Sequence, residues 1–115
     1  MASISLRIDL GEERRFGPGK ARLLELIRET GSISAAARAL GMSYRRAWLL
    51  TDELNQMFGA RLVEPQHGGA KGGGARITPR GTAVLDAYRR IEAAAEAALD
   101  LDKKPFRADG ARKEK

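Results

Sequence analysis

Cysteine is absent from the 115 residues, and histidine occurs once, at His67. A disulfide framework is therefore excluded, and a Cys/His metal cluster cannot be assembled within one chain. No apolar run approaches the roughly 18 residues that a membrane-spanning helix needs. The opening MASISLRIDLGEERR lacks the continuous apolar centre of a secretory signal, which makes cytoplasmic the expected compartment. A nucleotide phosphate loop is missing too, because Lys71 is followed by Gly72 where the G-x-x-x-x-G-K-[ST] pattern requires Ser or Thr. No nucleophile, base and carboxylate fall into a catalytic set, and Asp52-Glu53 reads as solvated charge on a helix. Neither an enzyme nor a metalloprotein is expected, no cofactor is implied, and there is no internal repeat.

What the chain has is positive charge, +6 in total, but its distribution is more informative than the sum. Residues 103–115 hold six of the 21 basic and two of the 15 acidic residues, leaving a body of 15 against 13. Global basicity is mostly a property of that tail, which lacks periodicity and reads as disordered. Two windows in the body are purely positive. From Gly31 to Thr51 the charges are Arg38, Arg45 and Arg46, and from Pro65 to Arg80 they are Lys71, Arg76 and Arg80.

Ile4, Leu6, Ile8 and Leu10 alternate with polar residues, as in a half-buried strand, and Glu13 to Phe16 suits a short return strand. Pro18 suits a helix start, and Leu23, Leu24 and Ile27 give that helix an apolar face ending at Thr30-Gly31. Ser32 is a natural cap for a second helix with Ile33, Ala36, Ala37 and Leu40 in one stripe. Gly41 then stops it and Ser43 caps a third, from Tyr44 to about Phe58. Leu62-Val63 opens a strand, Ala75 to Thr78 returns it, and a last helix runs from Pro79 to about Leu101. The fold predicted is mainly α with short β hairpins, a winged helix-turn-helix with a long C-terminal dimerisation helix. Residues 1–102 form its DNA-binding and dimerisation domain and residues 103–115 its basic tail.

The third helix carries the functional reading. With Ala47, Leu50/Thr51 and Leu54 inward, Tyr44, Arg45 and Trp48 face out, with Arg46 at the flank. The N-terminal turns of such a helix enter the major groove, where Arg can bind guanine and apolar groups can meet thymine methyls. Ser32 and Ser34 are candidate phosphate donors. Alone, Trp48 would equally suit a half-core position and the arginines a solvated pair; the capped turn before them and the glycine hairpin after them favour DNA. Five glycines between Gly68 and Gly74 leave a loop whose backbone can approach a groove closely, with Lys71 and Arg76 supplying charge.

The stretches GSISAAARALGMSYRRAWLL, ELNQMF and LVE…GGAKGGGARITPRG resemble the N-terminal winged-helix domain of the ModE molybdenum-responsive repressors, a relative of the LysR-type DNA-binding domain. The resemblance covers about Gly17 to Ala95. It implies a dimeric transcription factor whose recognition helix carries Ser43, Tyr44, Arg45, Arg46 and Trp48, with a wing from Gly68 to Arg76 that includes Gly72 and Gly73. Family members carry oxyanion-binding domains after the winged helix. The chain ends after one helix and a tail, so a stand-alone member without those domains is expected. Val84, Tyr88, Ile91, Ala95 and Ala98, spaced 4, 3, 4, 3, have the spacing of a coiled-coil seam for a homodimer on double-stranded DNA; Val84, Leu85 and Tyr88 equally suit packing on the parent domain, and pairing with a second copy is expected beyond Ile91. Two other readings stand beside this one: a molybdate or tungstate sensor using the glycine-loop amides, and a winged-helix module that binds protein.

Overall fold

The computed structural model describes residues 2–66 and 74–107. Strand β1 (Ile8–Asp9) pairs antiparallel with β2 (Arg15–Phe16), and three helices follow: α1 (Pro18–Thr30), α2 (Ile33–Leu40) and α3 (Tyr44–Met57). A second antiparallel hairpin, β3 (Val63–Gln66) with β4 (Gly74–Ile77), leads into α4 (Pro79–Leu101) and one 3-10 turn (Lys104–Phe106). That last turn begins in what the sequence suggested was a disordered tail; residues 108–115 lie outside the described part.

Local chemistry sets these boundaries. Ser32, Ser43 and Thr78 each accept a hydrogen bond from the backbone N–H three residues on, so α2, α3 and α4 all start on a side-chain cap. Between α2 and α3, Gly41 sits at φ 67°, and the Gly41 and Met42 N–H groups donate to the Arg38 and Ala37 carbonyls at 3.1 and 3.0 Å. That is a Schellman stop, and a side chain with a Cβ is disfavoured there. Only Met42 then separates this stop from the Ser43 cap of α3, so the two helices are joined by a turn of three residues.

Leu23, Leu24 and Ile27 of α1, Ala36 of α2, Ala47 and Leu54 of α3, Leu62, and Leu85 of α4 are fully buried together. Each large aliphatic side chain among them stabilises the fold by roughly 1.5–3 kcal/mol before entropy is counted. Phe16 is the aromatic centre, edge-on to Tyr88 at 5.1 Å and to Phe58 at 6.0 Å between ring centroids. The alternation from Ile4 to Leu10 yields only a two-residue strand. The turn consumes Gly11, Glu12 and Glu13, all at positive φ, and the chain enters α1 directly after Phe16. Arg14 holds that turn: its guanidinium donates to the carbonyls of Gly11, Leu10 and, at the C-terminal end of α3, Met57.

The first half of α4 belongs to the core. Gly81 is buried against β3, where a Cβ would collide with the Leu62 carbonyl oxygen. Tyr88 is only 1% exposed, and its hydroxyl donates to the Leu6 carbonyl at 2.7 Å. Burial, reinforced by Glu92 and opposed by Arg89, holds the phenol above its ordinary range, so it stays protonated as that donor. Tyr88 therefore cannot belong to the expected dimer seam. Val84, packed partly against the core, serves the same intrachain contact. From Ile91 onward no described residue of α4 is buried, and Ile91 and Leu101 are exposed, as is Phe106 after the helix. No helix among the described residues is long and apolar enough to cross a membrane.

Candidate nucleic-acid interface

The outer face of α3 is set by what its inner face must bury. Ala47, Thr51, Leu54 and Met57 point into the core, and Thr51 satisfies its hydroxyl on the Ala47 carbonyl at 2.8 Å. The opposite side therefore carries Tyr44, Arg45, Trp48 and Leu49. Tyr44 is 56% exposed and Trp48 47%, so neither is a core aromatic. Arg45 and Arg46 are exposed and form no ion pair among the described residues. Leu49, 49% exposed, escaped the sequence reading; its place one turn after Arg45 was the available signal.

Serine roles are narrower than expected. Ser32 Oγ and Ser43 Oγ accept from the Ala35 and Arg46 amides at 3.0 and 3.1 Å, so both are caps first. Each hydroxyl retains one O–H to donate. Ser34 is exposed at the start of α2 and accepts from Arg38 Nη1 at 3.1 Å. The positive ends of the α2 and α3 dipoles thus come with Arg38, Arg45 and Arg46 close in sequence, an arrangement suited to phosphate oxygens.

The hairpin is anchored to this helix by Asn55, which sequence reasoning passed over. Its Oδ1 accepts from the Leu62 and Val63 amides at 2.8 and 2.9 Å, and its Nδ2 donates to the Val63 carbonyl at 3.0 Å. Asparagine is a poor helix-interior residue, and that was the readable clue. On the far strand the Ala75 amide donates to the Gly31 carbonyl at 2.9 Å, tying β4 to the turn before α2. Lys71, Gly72, Gly73 and His67 lie outside the described residues. Arg76 is described, and it is not the free charge expected. Its Nη2 and Nε reach Glu64 Oε1 at 2.7 and 2.9 Å across the register pair Glu64↔Arg76. The pair is solvent-facing, so a phosphate can replace the carboxylate at small cost.

Between α3 and the hairpin runs an open cleft of about 270 Å³, walled by Tyr44, Trp48, Asp52 and Asn55 on one side and Arg61, Glu64 and Pro65 on the other. Asp52 lines this open cleft as a solvated charge and accepts from Gln56 at 3.0 Å. The cleft thus carries charge of both signs, Asp52 and Glu64 with Arg61.

Residues 19–82 match the family model described as bacterial regulatory helix-turn-helix protein, lysR family. The chain belongs to that family. It is 41% identical over 84% of its length to the molybdenum-pterin-binding protein MopB of Rhodobacter capsulatus. It is 36% identical over 87% of its length to the molybdenum transport protein ModE of Azotobacter vinelandii. In both cases it spans 36% of the relative, about a third of the length of the curated proteins it matches. Among solved structures, the CbnR_DBD–DNA complex aligns with a TM-score of 0.60 at 26% identity, covering 77% of this chain and 97% of that one. The lysR-type winged helix-turn-helix thus agrees with the arrangement of α1 to α3, the β3–β4 hairpin and the start of α4.

Proposed function

We propose that the protein is a sequence-specific DNA-binding transcriptional regulator that acts as a homodimer. In this reading α3 enters the major groove and the β3–β4 arm lies on the adjacent groove or backbone. The observation that carries it is the outward face of α3, where exposed Tyr44, Arg45 and Trp48 stand on a capped helix N-terminus beside Arg46. Arg45 supplies a bidentate contact to guanine, Arg38 and Arg46 supply phosphate contacts, and Ser34 donates to the backbone. The similar CbnR_DBD domain is bound to DNA in its complex, which supports the same use of the fold here. The alternative oxyanion sensor would use the glycine-loop amides, and calorimetry with molybdate, tungstate and sulfate tests it separately.

Dimerisation through the second half of α4 follows from its exposure. Ile91, Ala95 and Ala98 keep heptad spacing, Ile91 is 47% exposed, and the small side chains permit close approach of a second helix. The two α3 helices would then address half-sites roughly 34–36 Å apart.

The test is selection of duplexes from a random pool by the purified chain, followed by anisotropy titrations across salt. A regulator of this kind favours the selected sequence over random duplex and weakens steeply as salt rises. Indifference to sequence at every salt concentration refutes the reading. Lys71→Ala is expected to lower affinity for all duplexes and flatten the salt slope without changing which sequence is preferred.

A further inference from the structure

Among the described residues, the large apolar side chains left exposed are Tyr44, Trp48, Leu49, Ile91, Leu101 and Phe106. They are not scattered. Three sit on the outer face of α3, and three lie along or just beyond the projecting half of α4. A single exposed leucine needs no explanation, but one placed among the reading side chains of a recognition helix does. Leu49 follows Arg45 by four residues, which puts it about 40° around the helix and about 6 Å along it. Trp48 lies about 60° around on the other side of Arg45. Arg45 is therefore the polar centre of a face whose two flanks are apolar.

We propose that Leu49 is a specificity-determining residue that recognises the 5-methyl group of thymine; this rests on the DNA reading above. The chemistry leaves few other roles on a groove floor. A leucine side chain has no donor or acceptor, so it cannot pair with the polar edges of guanine, adenine or cytosine. The thymine methyl is the apolar group that the major groove presents. A phosphate contact would not use it either, since water solvates a phosphate better than a leucine does. The 6 Å offset from Arg45 equals about two base steps of 3.4 Å, so the thymine lies about two positions from the guanine that Arg45 reads.

The experiment uses the duplex selected by the wild-type chain. Each thymine of one half-site is replaced in turn by deoxyuridine, which removes the methyl and keeps every hydrogen-bonding group. Binding of wild type and Leu49→Ala is measured by anisotropy at one salt concentration. One replacement is expected to weaken wild type about fourfold, the worth of burying one methyl group. Leu49→Ala should bind the parent duplex at least that much more weakly and show no further loss at the same position, while responding as wild type does elsewhere. If Leu49→Ala keeps the wild-type response at every thymine, or if no thymine responds in wild type, the assignment to Leu49 is overturned while the DNA reading stands. A change in sedimentation of Leu49→Ala with unchanged deoxyuridine responses would put the residue in a protein contact and also overturn it. Failure to select any sequence defeats the DNA reading first, and this assignment with it.

Discussion

Arginine is used in opposite ways on two sides of the molecule. Along α1 and α4, Arg22 and Arg89 share Glu25 at 2.9 and 3.1 Å, Arg89 also takes Glu92 at 2.8 Å, and Arg28 reaches Asp86 at 3.4 Å. Arg89 stacks over the Tyr88 ring as well, 5.6 Å from its centroid. On α2 and α3, Arg38, Arg45 and Arg46 have no carboxylate partner among the described residues. One side spends its cations internally to orient the long helix. The other leaves them without an internal partner among the described residues. What separates the two is the acid supply, since α2 and the first two turns of α3 contain none.

The comparison breaks if substitutions on the free side cost stability or if those on the paired side cost recognition. The largest effect is expected from Arg45→Ala. It should lower preference for the selected duplex over random by about 5- to 150-fold, the loss of one bidentate base contact. Its melting temperature should stay near wild type, because exposed substitutions away from special features stay within about 0.5 kcal/mol. Gly81→Ala is the counterpart on the structural side. Its Cβ meets the Leu62 carbonyl at the junction of β3 and α4, and overpacking of this kind costs about 1–3 kcal/mol, read as a lower melting temperature. The folded fraction should retain its sequence preference.

A smaller effect is expected from acid. Burial acts to raise the Glu25 carboxyl, but Arg22 and Arg89 outweigh it and hold the group below its ordinary value of about 4.5. A carboxylate depressed in the folded state stabilises it above that value, and the contribution is lost as pH falls through the depressed one. Melting temperature should therefore fall more between pH 5 and pH 3 in wild type than in Glu25→Gln (about those limits, set by the ordinary range). An equal fall in both proteins would mean the Arg22–Glu25–Arg89 cluster contributes nothing. The smallest effect belongs to Glu64→Gln. Freeing Arg76 from a solvent-facing pair should leave stability almost unchanged and strengthen binding to all duplexes slightly. If affinity drops instead, the pair itself shapes the arm.

Much of this was legible in the chain. Pro79–Leu101 was readable to its ends because Thr78 and Pro79 punctuate one terminus and periodicity fails at the other. The turn at Gly41 was readable because two caps flank it. The outward set on α3 followed from the burial of Ala47, Thr51 and Leu54. The misreadings share a cause, which is that a partner distant in sequence decided the outcome. Tyr88 fits both a heptad seam and intrachain packing, and Phe16 with the Leu6 carbonyl, brought by the N-terminal hairpin, decides for the core. Arg76 looked unpaired because the acid that takes it, Glu64, lies just before the window Pro65–Arg80 and faces it only through strand register.

Asn55 has a mechanical consequence. With both ends of its amide bonded to the root of β3, helix and arm open from one fixed joint, like the jaws of a caliper locked at a set width. On the proposed DNA reading, a duplex held between them would be gauged as well as read. Sequence-dependent groove width and stiffness would then add to the selection without any base being touched.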